Sequence, residues 1–288
     1  MIEKTIFVAR SSLLDLATNE FQRLYFGNEF CEQLIPSLSA VQKAVQHCAA
    51  NKLAFSLVTP FVTNAGIEKV SELFAWLKQN QPGCEVIVND HGVLSLLQED
   101  QGVLEPVFGR LLTKQKRDPR LAKLITTPPQ KPRAFKQKEG YCLILPKKIP
   151  NTLVSYYQET NLNVSVIQDF LAKQSIKRAE LDNLFQGMHL DFVKADLSAS
   201  LYVPFGYVTT TRLCAANPFK VDKPFACKIT SCNKECQEYT IQMTHPTMPN
   251  TLYQKGNTLF YKNEHIPSAQ WLEEHGVNRL VFQPEIPM

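Results

Sequence analysis

Half of the eight cysteines in this sequence lie in one stretch. Cys214, Cys227, Cys232 and Cys236 follow the spacing C-x12-C-x4-C-x3-C, with prolines and polar residues between them. Cysteines of a core usually stand singly on apolar faces, whereas clustered thiols in a polar loop are typical ligands of soft metals. The spacing predicts a metal site, holding either a 4Fe-4S cluster or tetrahedral zinc (Zn). Disulfide bonds and a coincidental cluster are the alternatives.

The composition is that of an ordinary globular protein. The chain has 288 residues, of which 44% are hydrophobic and 20% charged, and this excludes wholesale disorder. The net charge of +4 is too small to indicate nucleic-acid binding by itself. The N-terminus lacks the apolar segment of a signal peptide, and there is no apolar run of about 18 residues, so we expect no membrane span and a cytoplasmic location. Thiols stay reduced there, which favours ligands over disulfides.

The elements that would position the cysteines alternate between apolar strands and amphipathic helices. Strands are predicted at 5–9, 53–59, 84–89, 103–112, 177–182, 199–204 and 278–283, and helices at 37–50, 66–79, 164–173 and 268–275. Cys48, Cys84 and Cys142 stand in apolar settings and are expected to be packing residues.

This alternation predicts an α/β fold. We expect a TIM-like parallel barrel, closed or incomplete, in preference to a doubly wound open sheet. An antiparallel hairpin with its turn at Gly256-Asn257 is predicted as an insertion near the C-terminus. Residues 1–236 would form the barrel-like domain, with a basic excursion at 113–150 and a cysteine loop at 214–236. Residues 237–288 would add the hairpin, a helix and the closing strand to the same domain.

In a parallel barrel, reactive groups gather at the carboxyl ends of the strands. That rule predicts a site built by Asn89, Asp90, Arg110, Glu180 and Asp182. Asn89 and Asp90 stand out because they directly follow a fully apolar strand, although Asp90 could equally cap a helix. Helix caps and surface ion pairs are the alternative interpretation of the whole set.

The excursion at 113–150 carries many lysines and arginines and few acidic residues. Pro128, Pro129 and Pro132 are expected to exclude regular structure from its middle. The segment is interpreted as a solvated excursion, as a lid or partner contact, or as a surface for RNA. We favour a lid over RNA, because Phe135 is isolated among the charges and RNA surfaces interleave several aromatic residues with basic ones.

Several motifs resemble those of a known family. They are residues 25–31 (Tyr-Phe-Gly-Asn-Glu-Phe-Cys), 55–59 (Phe-Ser-Leu-Val-Thr) and 85–90 (Glu-Val-Ile-Val-Asn-Asp), the cysteine cluster and the tail Gly256-Asn-Thr. In this order they are similar to the collagenase-like peptidase family U-thirty-two, in particular to its ubiquinone-biosynthesis proteins that hydroxylate a ring without oxygen. The resemblance implies a 4Fe-4S cluster, hydroxylation or related modification of a small aromatic substrate or an RNA base, and a related protein as partner subunit.

The resemblance leaves the ligand set open. The C-x12-C spacing is similar to one branch of the family, but Cys232 departs from that pattern, and in that branch one ligand lies near the N-terminus, where Cys31 stands here. We prefer the local set Cys214, Cys227, Cys232 and Cys236, with Cys31 as a substitute for one of them. Two other functions stay open: a peptidase, for which no zinc-peptidase motif or nucleophile–base arrangement is present, and a zinc-stabilised binding module that would use the basic segment.

Overall fold

The chain folds as a closed barrel of eight parallel strands with helices around it and a four-stranded antiparallel sheet. The structure is a computed structural model that describes residues 2–99, 102–126, 133–137, 140–144, 149–191, 196–214, 232–246 and 248–288. The strands are β1 (Glu3–Val8), β2 (Arg23–Gly27), β3 (Ala54–Val58), β4 (Glu85–Val88), β5 (Glu105–Phe108), β6 (Arg133–Gln137), β7 (Gly140–Ile144), β8 (Arg178–Asp182), β9 (Ser198–Val203), β10 (Phe205–Thr210), β11 (Ile241–Met243), β12 (Leu252–Lys255), β13 (Thr258–Lys262) and β14 (Val277–Phe282). The helices are α1 (Leu38–Asn51), α2 (Asn64–Asn80), α3 (His91–Gln98), α4 (Leu121–Thr126), α5 (Asn151–Gln158), α6 (Ser165–Lys173) and α7 (Ala269–Glu274).

The barrel runs in the order β1-β14-β9-β8-β5-β4-β3-β2, and it closes where β2 pairs with β1. All its strand pairs are parallel. The prediction of a TIM-like barrel is therefore confirmed, and the barrel is complete. The antiparallel sheet has the order β10-β13-β12-β11, and the predicted turn at Gly256-Asn257 joins β12 to β13. The predicted hairpin is therefore confirmed, and β10 and β11 extend it to four strands.

The segment 113–150 contains more regular structure than the sequence predicted. Helix α4 and the antiparallel pair β6–β7 both lie within it. The irregular middle was predicted at the three prolines, which lie outside the described residues, and regular structure lies on both sides of them. Strands β6 and β7 pair with each other in a separate two-stranded sheet and are not part of the barrel.

Apolar side chains fill the space between the barrel and its helices, and these include the buried Cys48 and Cys84, as predicted. Cys142 is exposed, so the expectation that it packs in a core is wrong. Burial raises the pKa of Cys48 and of Cys84 to about 12, which keeps both thiols protonated and unreactive. Within the described ranges, no helix combines the length and apolar character needed to cross a membrane.

The amino-terminal half of the barrel interior is polar, which is uncommon for a barrel filled by branched apolar residues. The Arg279 guanidinium donates to Glu3 (2.8 Å), to Glu85 (2.7 Å) and to the hydroxyl of Tyr25 (2.6 Å). Arg23 donates to Glu3 at 2.7 Å. These charges pair with one another across the lumen, which is how charged groups are tolerated inside a protein.

Candidate functional site

The carboxyl end of the barrel is closed by buried ion pairs. Arg110, which follows β5, donates through Nε to Glu29 Oε1 at 3.1 Å and through a second nitrogen to Glu29 Oε2. It also donates to Asp182 Oδ1 at 2.8 Å, and Arg117 donates to Asp182 Oδ2 at 2.6 Å. The side chains of Arg110, Glu29 and Asp182 have no exposed surface. Two cations and two carboxylates therefore neutralise each other at the mouth.

Aromatic groups cover these ion pairs from both sides. The Arg110 guanidinium carbon lies 3.8 Å from the ring centroid of Tyr202, which points into the barrel. From the antiparallel sheet, the Tyr207 hydroxyl donates to the Arg110 carbonyl at 3.1 Å, and the Phe205 carbonyl accepts from Arg110 at 3.1 Å. Burial raises the pKa of the Glu29 carboxyl, and the Arg110 charge opposes that rise. This part of the rim is therefore packed with charged groups and is not an open substrate cavity. We call the four paired residues, Arg110, Glu29, Asp182 and Arg117, the plug.

The structure places the five predicted rim residues in four environments. Arg110 and Asp182 meet in the plug. Asn89 lies at the same end and ties neighbouring strands together, since its Nδ2 donates to the Thr59 carbonyl (2.9 Å) and its Oδ1 accepts from the Leu111 amide (3.0 Å). These contacts are those of a structural support, and the catalytic assignment of the three residues stays a prediction.

Asp90 caps helix α3. Its Oδ1 accepts from the backbone amides of Gly92 (2.7 Å) and Val93 (3.4 Å), and its Oδ2 accepts from the amide of Val62 (3.3 Å). This is the cap that the sequence offered as an alternative role.

Glu180 lies deeper, in the middle of β8, and not at the rim where it was predicted. Its Oε1 accepts from the Tyr25 hydroxyl at 3.1 Å, while Oε2 has no partner among the described residues. Burial raises the pKa of this carboxyl to about 7, against the opposing effect of Arg279 and Arg178. Glu180 is therefore a buried group that can exchange a proton near neutral pH, but it is separate from the plug.

We expect this shifted pKa to appear in the pH dependence of stability. The folded protein keeps a proton on Glu180 in a range where the unfolded chain has lost it, so stability falls as the pH rises from the ordinary carboxyl pKa to about 7. The slope is at most roughly 1.4 kcal/mol per pH unit. In Glu180→Gln this contribution is absent, so the variant should gain stability relative to the native protein across that window and keep a constant difference above it.

Urea unfolding at a series of pH values measures the difference between the two proteins. Glu105→Gln, which removes a carboxylate from an exposed position on β5, is the control. Parallel stability curves for the native protein and Glu180→Gln would contradict a raised pKa at Glu180.

Part of the basic segment also belongs to the plug. Besides Asp182, Arg117 donates to the carbonyls of Arg110 (2.8 Å) and Thr113 (2.9 Å), and it is buried. By contrast, Arg120 is exposed and pairs with Asp118 at the surface. Arg117 is thus unavailable to an RNA backbone, which removes one of the charges that the RNA interpretation would use.

A second structural feature stands beside the plug, in the loop after β2. Asn28 Oδ1 accepts from the backbone amides of Phe30 and Cys31, both at 2.9 Å, and this turn fixes the position of Cys31. Phe30 packs on Tyr207 and on Phe260, with ring centroids 5.3 Å apart in each case. The loop therefore carries Glu29, which pairs with Arg110 in the plug, and Cys31 two residues later.

Four of the five candidate ligands lie within electrostatic range of one another near this loop: Cys31, Cys214, Cys232 and Cys236. Burial raises the pKa of Cys31, and the charges of Cys232 and Cys214 raise it further. Burial likewise raises the pKa of Cys236 to about 12, with added contributions from Cys214, Cys31 and Cys232. Thiols separated by most of the sequence are thus neighbours in the fold. Cys227 lies outside the described residues.

Apolar side chains and a backbone amide contact the thiols. Cys31 and Cys236 pack in an apolar cluster with Phe30, Leu111 and Met288. The Lys234 amide donates to Cys232 Sγ at 3.4 Å, the kind of contact that stabilises a thiolate and orients it. Across the described ranges, no three histidine, cysteine or acidic side chains already stand in a metal-ligating arrangement. The thiols lie near one another, and binding of a metal would require their sulfur atoms to move closer together.

Sequence reasoning missed Asn28 and Glu29, although both stand in the motif at residues 25–31. Their polar character directly after the apolar part of β2 was the available signal, by the same rule that selected Asn89. The pairing of Glu29 with Arg110 joins residues 81 positions apart and has no local signal.

Comparison with known proteins adds no family. No protein-family model matches the chain, and no curated protein matches it. Among solved structures, an immunomodulatory active chitinase from Trichuris suis aligns over 98% of this chain and 91% of its own length, at 9% identity and a TM-score of 0.35. A plant class V chitinase mutant from Cycas revoluta aligns over 97% and 94%, at 9% identity and a TM-score of 0.35. Similarity this low carries no argument about the activity of this chain.

Proposed function

We propose that this protein holds a 4Fe-4S cluster through Cys31, Cys214, Cys232 and Cys236. The observation that supports the proposal is that Cys31 packs against the apolar cluster that contains Cys236, within electrostatic range of Cys214 and Cys232. Cys31 takes the place that the local ligand set gave to Cys227. Four sulfur donors in an apolar setting suit such a cluster.

We propose further that the cluster serves an oxygen-independent hydroxylation or a related modification of an aromatic substrate or an RNA base. The resemblance of residues 25–31 and of the cysteine pattern to the collagenase-like peptidase family supports this reaction class. A bound cluster would supply one-electron chemistry. The chain itself contributes the thiols, the apolar surroundings that limit water at the sulfurs, and a rigid mouth below them. Because the plug fills the described part of the mouth, substrate would approach the thiols from outside the barrel.

Anaerobic purification followed by measurement of iron, acid-labile sulfide and zinc tests the cluster. We expect a brown protein with about four irons and four sulfides per chain, as a cluster held by four cysteines requires. The same four thiols also suit tetrahedral zinc. A colourless protein with a single zinc per chain and no sulfide would therefore overturn the iron–sulfur proposal and favour a zinc-stabilised module.

A further inference from the structure

The turn between β12 and β13 reaches from the antiparallel sheet to the cysteines. The Asn257 side-chain nitrogen Nδ2 donates to two backbone carbonyls, those of Phe30 and Thr211, both at 2.6 Å. Phe30 directly precedes Cys31, and Thr211 stands three residues before Cys214. One side-chain amide thus joins the two chain segments that carry these thiols.

The same turn touches the segment of a third thiol. Gly256 has a φ of +58°, a conformation that favours glycine. A Cβ atom at this position would lie 3.0 Å from Cys236 Cβ and 2.5 Å from Met288 Cε. The backbone of the turn can pack this closely against Cys236 only because residue 256 has no side chain.

The orientation of the Asn257 amide is fixed by its surroundings. Its Oδ1 accepts from the Thr258 hydroxyl at 3.0 Å, and that hydroxyl is also 2.8 Å from the Thr210 hydroxyl. The two carbonyl partners on the other side require the amino group there, because a carbonyl only accepts. Asn257 is 6% exposed, so water does not replace these bonds easily. Loss of the donor would remove a buried hydrogen bond from the Phe30 carbonyl and a partly buried one from the Thr211 carbonyl.

We propose that Asn257 is a positioning residue that sets the separation of Cys31 and Cys214, so that docking of the antiparallel sheet on the barrel mouth assembles the thiol site. The role in metal binding rests on the proposed function, whereas the role in gathering the thiols does not. The simpler alternative is that Asn257 only stabilises the sheet, as any buried amide would.

Asn257→Asp separates these roles. It preserves the shape of the side chain but places a carboxylate, which cannot donate, against two carbonyl oxygens. Asn263→Asp is the matched control. Asn263 is also 6% exposed and lies directly after β13, at the end opposite the turn, and its Nδ2 donates to the Asn183 carbonyl at 3.2 Å. A purely structural role predicts a loss of stability in each variant and the same state of the thiols in both.

The first measurement uses reduced, metal-free, full-length protein. A short bifunctional thiol reagent is added, and peptide mapping gives the rate at which it bridges Cys31 to Cys214, normalised to the rate of a monofunctional reagent at each thiol. We expect Asn257→Asp to lower the normalised bridging rate several-fold and Asn263→Asp to leave it near the native value. The second measurement titrates iron and sulfide anaerobically, and there we expect Asn257→Asp to weaken binding by roughly 10- to 100-fold, as loss of an outer contact does at metal sites.

Native-like bridging in Asn257→Asp, or an equal loss in both variants, would overturn the proposal. If no protein binds a metal but bridging still differs between the variants, the proposed function fails and the positioning role stands. Should Asn257→Asp fail to fold, Asn257→Ser retains one donor without adding charge. It is compared with Asn263→Ser, and the same order of bridging rates is expected.

Discussion

Replacing Arg110 with methionine is expected to lower the free energy of unfolding by about 3–5 kcal/mol, the cost of leaving a buried charge without its partner. Methionine approximates the length of arginine but removes every donor. Asp182 would keep Arg117 at 2.6 Å, whereas Glu29 would lose the guanidinium that holds both its oxygens. The main loss therefore comes from the Glu29 carboxylate, and urea unfolding measures it.

Two further variants serve as controls for the loss of stability expected in Arg110→Met. Arg120→Met removes an arginine that also forms a short ion pair, 2.6 Å from Asp118, but whose side chain is 60% exposed, and we expect the free energy of unfolding to change little. The double variant Glu29→Gln with Arg110→Met should recover part of the loss, because it also removes the unpaired charge. A free energy of unfolding in Arg110→Met as close to native as that of Arg120→Met would contradict the plug as a stabilising unit.

The barrel could be predicted from the sequence to a large extent, because apolar strands and amphipathic helices alternate with little interruption. Strand β2 had no such signal. It places Arg23 and Tyr25 inside the barrel, where Arg23 pairs with Glu3 and the Tyr25 hydroxyl pairs with Glu180. Polar residues that satisfy one another across the lumen interrupt the apolar run by which a buried strand is recognised.

The candidate site could be predicted only in part. The cysteine spacing indicated a metal site, and the motif ending in Cys31 indicated a further ligand. The choice between Cys31 and Cys227 depends on how the loop after β2 folds over the barrel, and nothing local in the sequence fixes that. Asn257 was also hidden, since its place beside Gly256 in a hairpin turn already accounts for its residue type.

Replacing each of the two competing cysteines, Cys31 and Cys227, by alanine tests the central claim most directly. The proteins to compare are the native chain, Cys31→Ala and Cys227→Ala, each purified without oxygen and analysed for iron and acid-labile sulfide. Circular dichroism checks that each variant is folded. The variant Cys84→Ala removes a buried thiol that is not a candidate ligand, and it controls for the loss of a cysteine as such. We expect Cys31→Ala to lose the cluster, while Cys227→Ala and Cys84→Ala keep about four irons per chain. Full iron and sulfide content in Cys31→Ala, together with its loss in Cys227→Ala, would contradict the assignment of Cys31 and restore the local ligand set.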